Sequence, residues 1–193
     1  MASPDRVVII AFHVTIEVPK VGLVSEIGHA GVLLISGANG ATKYFEYGRY
    51  DAAGLGIVRT KTIPDVKMDG DNPNPGKLKQ TLRIISEQSG KKTAIAAVMY
   101  KTEGKFAVGV NYCLQRLAQN MDPKREPYSV TTNNCMSFAM ETAKQMLGAI
   151  EAFMFMPVFN PVPHTCIRAL QTGSLMLPGA HNLEYDHQKD VLS

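Results

Sequence analysis

Three cysteines and five histidines carry the side chains best suited to covalent chemistry in this chain. Cys135 follows Thr131-Thr132-Asn133-Asn134, a run of capping side chains, and precedes Met136, Ala139, Met140, Ala143 and Leu147, which recur at helical spacing. Its thiol therefore falls in the first turn of a predicted helix, where unpaired backbone N–H groups and the positive end of the helix dipole favour a thiolate. The same N–H groups are placed to stabilise an oxyanion when the sulfur attacks a carbonyl. Cys113 lies inside an apolar helical stretch and reads as core. Cys166 stands close behind His164 without a second ligand pair, so no metal site is expected.

A thiol nucleophile needs a base. His29 opens the run His29-Ala-Gly-Val-Leu-Leu-Ile35, a strand whose remainder is core, with Gly28 and Gly31 leaving space near the ring. His13 reads as a strand residue facing solvent or satisfied in the core, while His181 and His187 fall in a polar tail. A histidine base is oriented by a third polar group, and the return strand offers Glu46 or Tyr47. Hairpin register decides between them. A four-residue loop pairing Ser36 with Ala41 puts Glu46 on the sheet face of His29, whereas a five-residue loop pairing Ile35 with Ala41 puts Tyr47 opposite it. Glu46 is favoured because a carboxylate stabilises an imidazolium.

These residues must be held by a folded scaffold, and 193 residues with 45% hydrophobic and 19% charged side chains fit one globular domain. That domain is taken as 1–193, with a core of about 5–150 and a C-terminal extension over 151–193. β-branched runs predict strands over 7–16, 30–35, 43–47 and 57–62, and the Pro, Gly and Asx residues of 69–76 predict a loop. Helices are expected over 78–87, 106–118 and from Cys135 to Gly148; 93–100 fits strand or helix by periodicity alone. The proline-broken segment 153–163 is expected to form a wall or lid.

A net charge of +3 from scattered basic residues gives no reason to expect a nucleic-acid partner. No apolar run approaches the roughly 18 residues needed to span a bilayer. The first residues, Met1 to Asp5, are polar and lack the pattern of a secretory leader. The cysteines are odd in number and widely spaced, so a disulfide framework is not expected. Gly37-Ala-Asn-Gly40 and Gly54-Leu-Gly56 lack the context of nucleotide loops, and no cofactor is indicated.

Gly28-His29-Ala30-Gly31-Val32, Tyr44-Phe-Glu-Tyr-Gly-Arg-Tyr50 and Asn133-Asn134-Cys135-Met-Ser-Phe-Ala139 resemble, in that order, the circularly permuted NlpC-type papain-like hydrolases. Among these the chain looks most like the amidase or peptidase effectors of type VI secretion systems, over about residues 5–150. The resemblance implies an α+β, papain-like fold with a central antiparallel sheet packed against helices. It makes Cys135 the nucleophile, His29 the general base and Glu46, or alternatively Tyr47, the orienting group. The Cys135 N–H, aided by Asn134, would hold the oxyanion. The implied reaction is hydrolysis of an amide in the peptide stems of peptidoglycan through a thioester, without a cofactor. It further implies a protein made in the bacterial cytoplasm, carried on a secretion spike protein into a rival's periplasm, and neutralised at home by an immunity protein. The same scaffold resembles lipid acyltransferases and phospholipases, for which Phe153 to Phe159 would line an acyl groove. A non-catalytic cell-wall binding module is the other alternative.

Overall fold

The computed structural model describes residues 3–14, 16–18, 22–24, 28–51, 53–148, 162–172 and 180–193. Asp5–Phe12 (β1) is buried along its whole length, which requires a neighbour on each edge and a layer on each face. His29–Ile35 (β4) and Ile95–Thr102 (β9) flank it, both antiparallel. Thr42–Gly48 (β5) and Ile57–Lys61 (β6) extend the sheet beyond β4. His181–Asp186 (β10) and Val191–Leu192 (β11) extend it beyond β9. The result is a seven-stranded antiparallel sheet in the order β11-β10-β9-β1-β4-β5-β6. Ile16–Val18 (β2) pairs with Gly22–Val24 (β3), and Met68–Asp69 (β7) with Asn72–Pro73 (β8), as separate two-stranded ribbons.

Alternation along the strands builds two cores. Val7, Ile9 and Ala11, with Val32 and Leu34, face Phe106–Ala118 (α2), Cys135–Leu147 (α3) and Pro163–Thr172 (α4). Val8, Ile10 and Phe12, with Leu33 and Ile35, face Pro75–Gln88 (α1), which contributes Leu78, Leu82 and Ile85. The protein is thus α+β, with a central antiparallel sheet between helical layers.

Three stretches differ from the expectation or resolve it. The ambiguous 93–100 run is β9; burial on both faces removes the two-residue alternation that marks a half-exposed strand. The expected loop over 69–76 holds the β7–β8 turn and the start of α1, where the Asn74 side chain accepts from the Lys77 N–H and proline enters the first turn. The tail is not merely polar: α4 places Cys166, Ile167 and Leu170 in the core beneath β1, and β10 carries His181 on the sheet. His13 lies just past the end of β1, exposed, with its ring centroid 3.6 Å from that of His164. Of the expected wall over 153–163, residues 153–161 lie outside the described residues.

The β4–β5 hairpin has the four-residue loop. Ser36 N–H donates to Ala41 O at 2.8 Å, Ile35 pairs with Thr42, and Glu46 therefore stands opposite Gly31 on the face of His29.

Candidate active site

Cys135 is the first residue of α3 and is almost fully buried. Asn134 caps the helix: its Oδ1 accepts from the Met136 and Ser137 N–H groups, each at 2.9 Å, and Ser137 Oγ accepts from the Asn134 N–H at 2.8 Å. This reciprocal cap fixes the direction of the first turn and hence of the Cys135 side chain. The hydroxyl of Tyr128 donates to Cys135 Sγ at 3.9 Å and also stands against the Cys135 backbone N–H. On the sheet side, the Ala30 N–H points at the sulfur.

His29, the first residue of β4, meets Cys135 from the strand end, near enough for each to favour the other's charged form. Its Nε2 lies 2.9 Å from Tyr50 Oη and 3.4 Å from Glu46 Oε2. Glu46 is 2% exposed; Tyr44 Oη donates to its Oε2 at 3.1 Å and Lys61 Nζ stands 3.7 Å from its Oε1. Gly31 makes the Tyr44 contact possible, because a Cβ there would sit 2.3 Å from the Tyr44 hydroxyl. The space expected beside the histidine is thus filled by a tyrosine that braces the carboxylate.

Burial opposes every charge in this cluster, yet each group favours the charged form of its neighbours. Burial works to neutralise His29, but interaction with Cys135 and Glu46 raises it to about 9. Burial likewise raises Glu46, but interaction with His29, aided by Lys61, brings it to about 2. Cys135, pushed up by burial, is drawn below the usual thiol value by His29, the Tyr128 hydroxyl and the Ala30 N–H. Each group thus favours the charged form of its neighbour, in the order thiolate, imidazolium, carboxylate. Such a row can deliver a sulfur nucleophile to a carbonyl and a proton to a leaving group.

Of the two supporting residues, Tyr47 acts otherwise than expected. Tyr47 is on the opposite sheet face from Glu46; its hydroxyl accepts from Asn133 Nδ2 at 2.8 Å and its ring packs on Phe138 and Tyr128. It therefore braces the loop leading to Cys135 and does not orient His29. It also lines a cavity of about 330 Å³ with Tyr112, Arg116, Gln119 and Glu126 among its walls. Asn134 is held as the helix cap, its Oδ1 accepting from two N–H groups and its Nδ2 giving one of its two hydrogens to Val130 O at 2.8 Å.

Cys113 and Cys166 are buried free thiols that burial pushes up to about 12 and about 11. Tyr50 and Tyr128 escaped the sequence reading. Tyr50 ends the quoted Tyr44–Tyr50 motif, but it follows β5, where strand alternation no longer says which way a side chain points. Tyr128 is in a loop with no periodicity at all.

The fold and the site define a class: an α+β protein in which a helix-opening cysteine meets a strand-end histidine backed by a buried carboxylate. A profile described as type VI secretion system effector TseH-like matches residues 3–149, and the chain belongs to this family of type VI secretion effectors. The crystal structure of the type VI secretion system effector TseH is similar over 100% of this chain and 98% of that one, at 25% identity and a TM-score of 0.81. No curated protein sequence matches the chain. No helix among the described residues is long and apolar enough to cross a membrane.

Proposed function

We propose that the protein is an antibacterial cysteine hydrolase that cuts amide bonds in peptidoglycan stem peptides after injection into a rival cell. The observation that carries this reading is the buried row Cys135–His29–Glu46, with the sulfur at a helix N-terminus. Membership of a type VI effector family supports the delivery route. The antiparallel sheet with a capped cysteine helix on one face is compatible with a permuted papain-like, NlpC-type domain spanning the chain.

In this reading the Cys135 thiolate adds to the amide carbon, and the carbonyl π electrons move to oxygen. The Cys135 N–H and the Tyr128 hydroxyl hold that oxyanion. As the C–N bond breaks, the departing amine takes the proton from the His29 nitrogen that faces the sulfur. Water then attacks the thioester, His29 accepts its proton, and the C–S bond breaks to release the carboxylic acid and restore the thiolate. Glu46 keeps the imidazolium stable through both steps. A spike protein for export and an immunity protein seated over the cleft between His29 and Cys135 complete the proposed biology.

Targeting the protein to the periplasm of a susceptible bacterium is expected to cause lysis that Cys135→Ala and His29→Ala each abolish, with no effect from cytoplasmic expression. Equal killing by the Cys135→Ala protein would overturn the reading.

A further inference from the structure

Charge-assisted hydrogen bonds between nitrogen and carboxylate oxygen run at roughly 2.7–2.9 Å. Glu46 Oε2, at 3.4 Å from His29 Nε2, is outside that range, whereas Tyr50 Oη, at 2.9 Å, is within hydrogen-bond reach. The Glu46 carboxylate also acts on the Tyr50 hydroxyl, its negative charge opposing loss of the phenol proton. When His29 is protonated its Nε2–H donates to the Tyr50 oxygen, which leaves the Tyr50 O–H free to turn to the Glu46 carboxylate. The Tyr50 ring is held for this task from two sides. The Arg59 guanidinium carbon stands 3.5 Å from its centroid. The missing side chain of Gly48 admits its edge, since a Cβ there would lie 2.6 Å from Tyr50 Cζ. The His29 and Tyr50 rings meet edge to face, 78° apart, which points the imidazole nitrogen at the hydroxyl.

We infer that Tyr50 is the positioning residue of the site: its hydroxyl bridges His29 and Glu46, fixing the imidazole ring and passing the carboxylate's influence to it. This rests on the reading of His29 as the proton partner of Cys135. Tyr50 touches no reacting atom in that reading and acts through the histidine. The charged and titratable groups around the pair are Glu46 and Tyr44 on β5, Arg59 and Lys61 on β6, Cys135 on α3 and Tyr128 in the loop before it.

The test is a substrate-free titration of the Cys135 thiolate by its absorbance near 240 nm, taken as the difference from a Cys135→Ser protein. Tyr50→Phe removes one hydrogen-bond acceptor from the imidazolium and is expected to raise the thiolate midpoint by about one pH unit, leaving roughly tenfold less thiolate below it. In a Glu46→Gln background the same substitution is expected to shift the midpoint far less, because the bridge has lost its charged end. An unchanged midpoint in folded Tyr50→Phe, or an equal shift in both backgrounds, overturns the inference. Should Tyr50→Phe not fold, wild-type protein labelled with ¹⁵N-histidine serves: a cross-relaxation signal between the His29 Nε2 proton and the Tyr50 ring protons is expected, and its absence overturns the inference. No substrate enters these measurements. A shifted midpoint in a protein that cuts no wall peptide would retain Tyr50's role and reject the substrate assignment.

Discussion

Replacing Glu46 by Gln removes a carboxylate that is 2% exposed and 3.4 Å from a ring nitrogen of His29. Folding lowers its value from the usual 4.5 to about 2, burial being outweighed by His29 and Lys61. At about 1.4 kcal/mol per unit, that depression contributes about 3 kcal/mol of pH-dependent stability. The sign follows from the direction of the shift. The contribution is present above pH 4.5 and is lost as pH falls through the folded value near 2. His29, raised from 6.5 to about 9, contributes stability that is present below 6.5 and lost as pH rises through 9. These are two views of one ionic cluster and are not added. Urea unfolding followed by circular dichroism at pH 6 and pH 2 measures the acid limb. With an m-value of about 2 kcal/mol per molar, the gap between wild type and Glu46→Gln is expected to narrow by about 1 M in urea midpoint or more across that range. A gap independent of pH would refute the assignment of Glu46 as the buried ionised partner of His29.

Asn134→Ala is expected to cost about 2 kcal/mol, from the lost cap and the bond to Val130, while Asn134→Ser keeps the capping oxygen and regains about half; urea midpoints at pH 7 measure both. Brief exposure to iodoacetamide at pH 6.5 is expected to modify Cys135 ahead of Cys113 and Cys166, whose thiols burial raises to about 12 and about 11. Peptide mass mapping reads the site, and His29→Ala is expected to erase the preference.

Much of this cluster was legible because short-range rules governed it. Capping residues before an apolar helical repeat located Cys135, and strand alternation narrowed the partner of His29 to Glu46 or Tyr47, between which carboxylate chemistry favoured Glu46 and the turn length was left to the structure. The two tyrosines at the site were hidden because each reaches it from outside a regular element: Tyr50 after β5 ends and Tyr128 within a loop. Asn134 caps the helix as its place before the apolar repeat implied. The tail misled for another reason. β10 lies towards one side of the sheet, where only β11 follows it, and its half-exposed, polar-rich residues imitate a surface segment although Tyr185 beneath is buried. The continuous apolar run of β9 left helix and strand undecided, since a strand buried on both faces has no alternation to read.

The most direct test of the whole reading is mass spectrometry of the soluble fragments released from purified peptidoglycan sacculi by wild-type protein and by Cys135→Ala. New stem-peptide fragments from the wild type alone are expected, and their masses identify the amide that is cut. No release by a folded protein whose Cys135 is reactive, or equal release by Cys135→Ala, would contradict hydrolysis of wall peptides by this thiol.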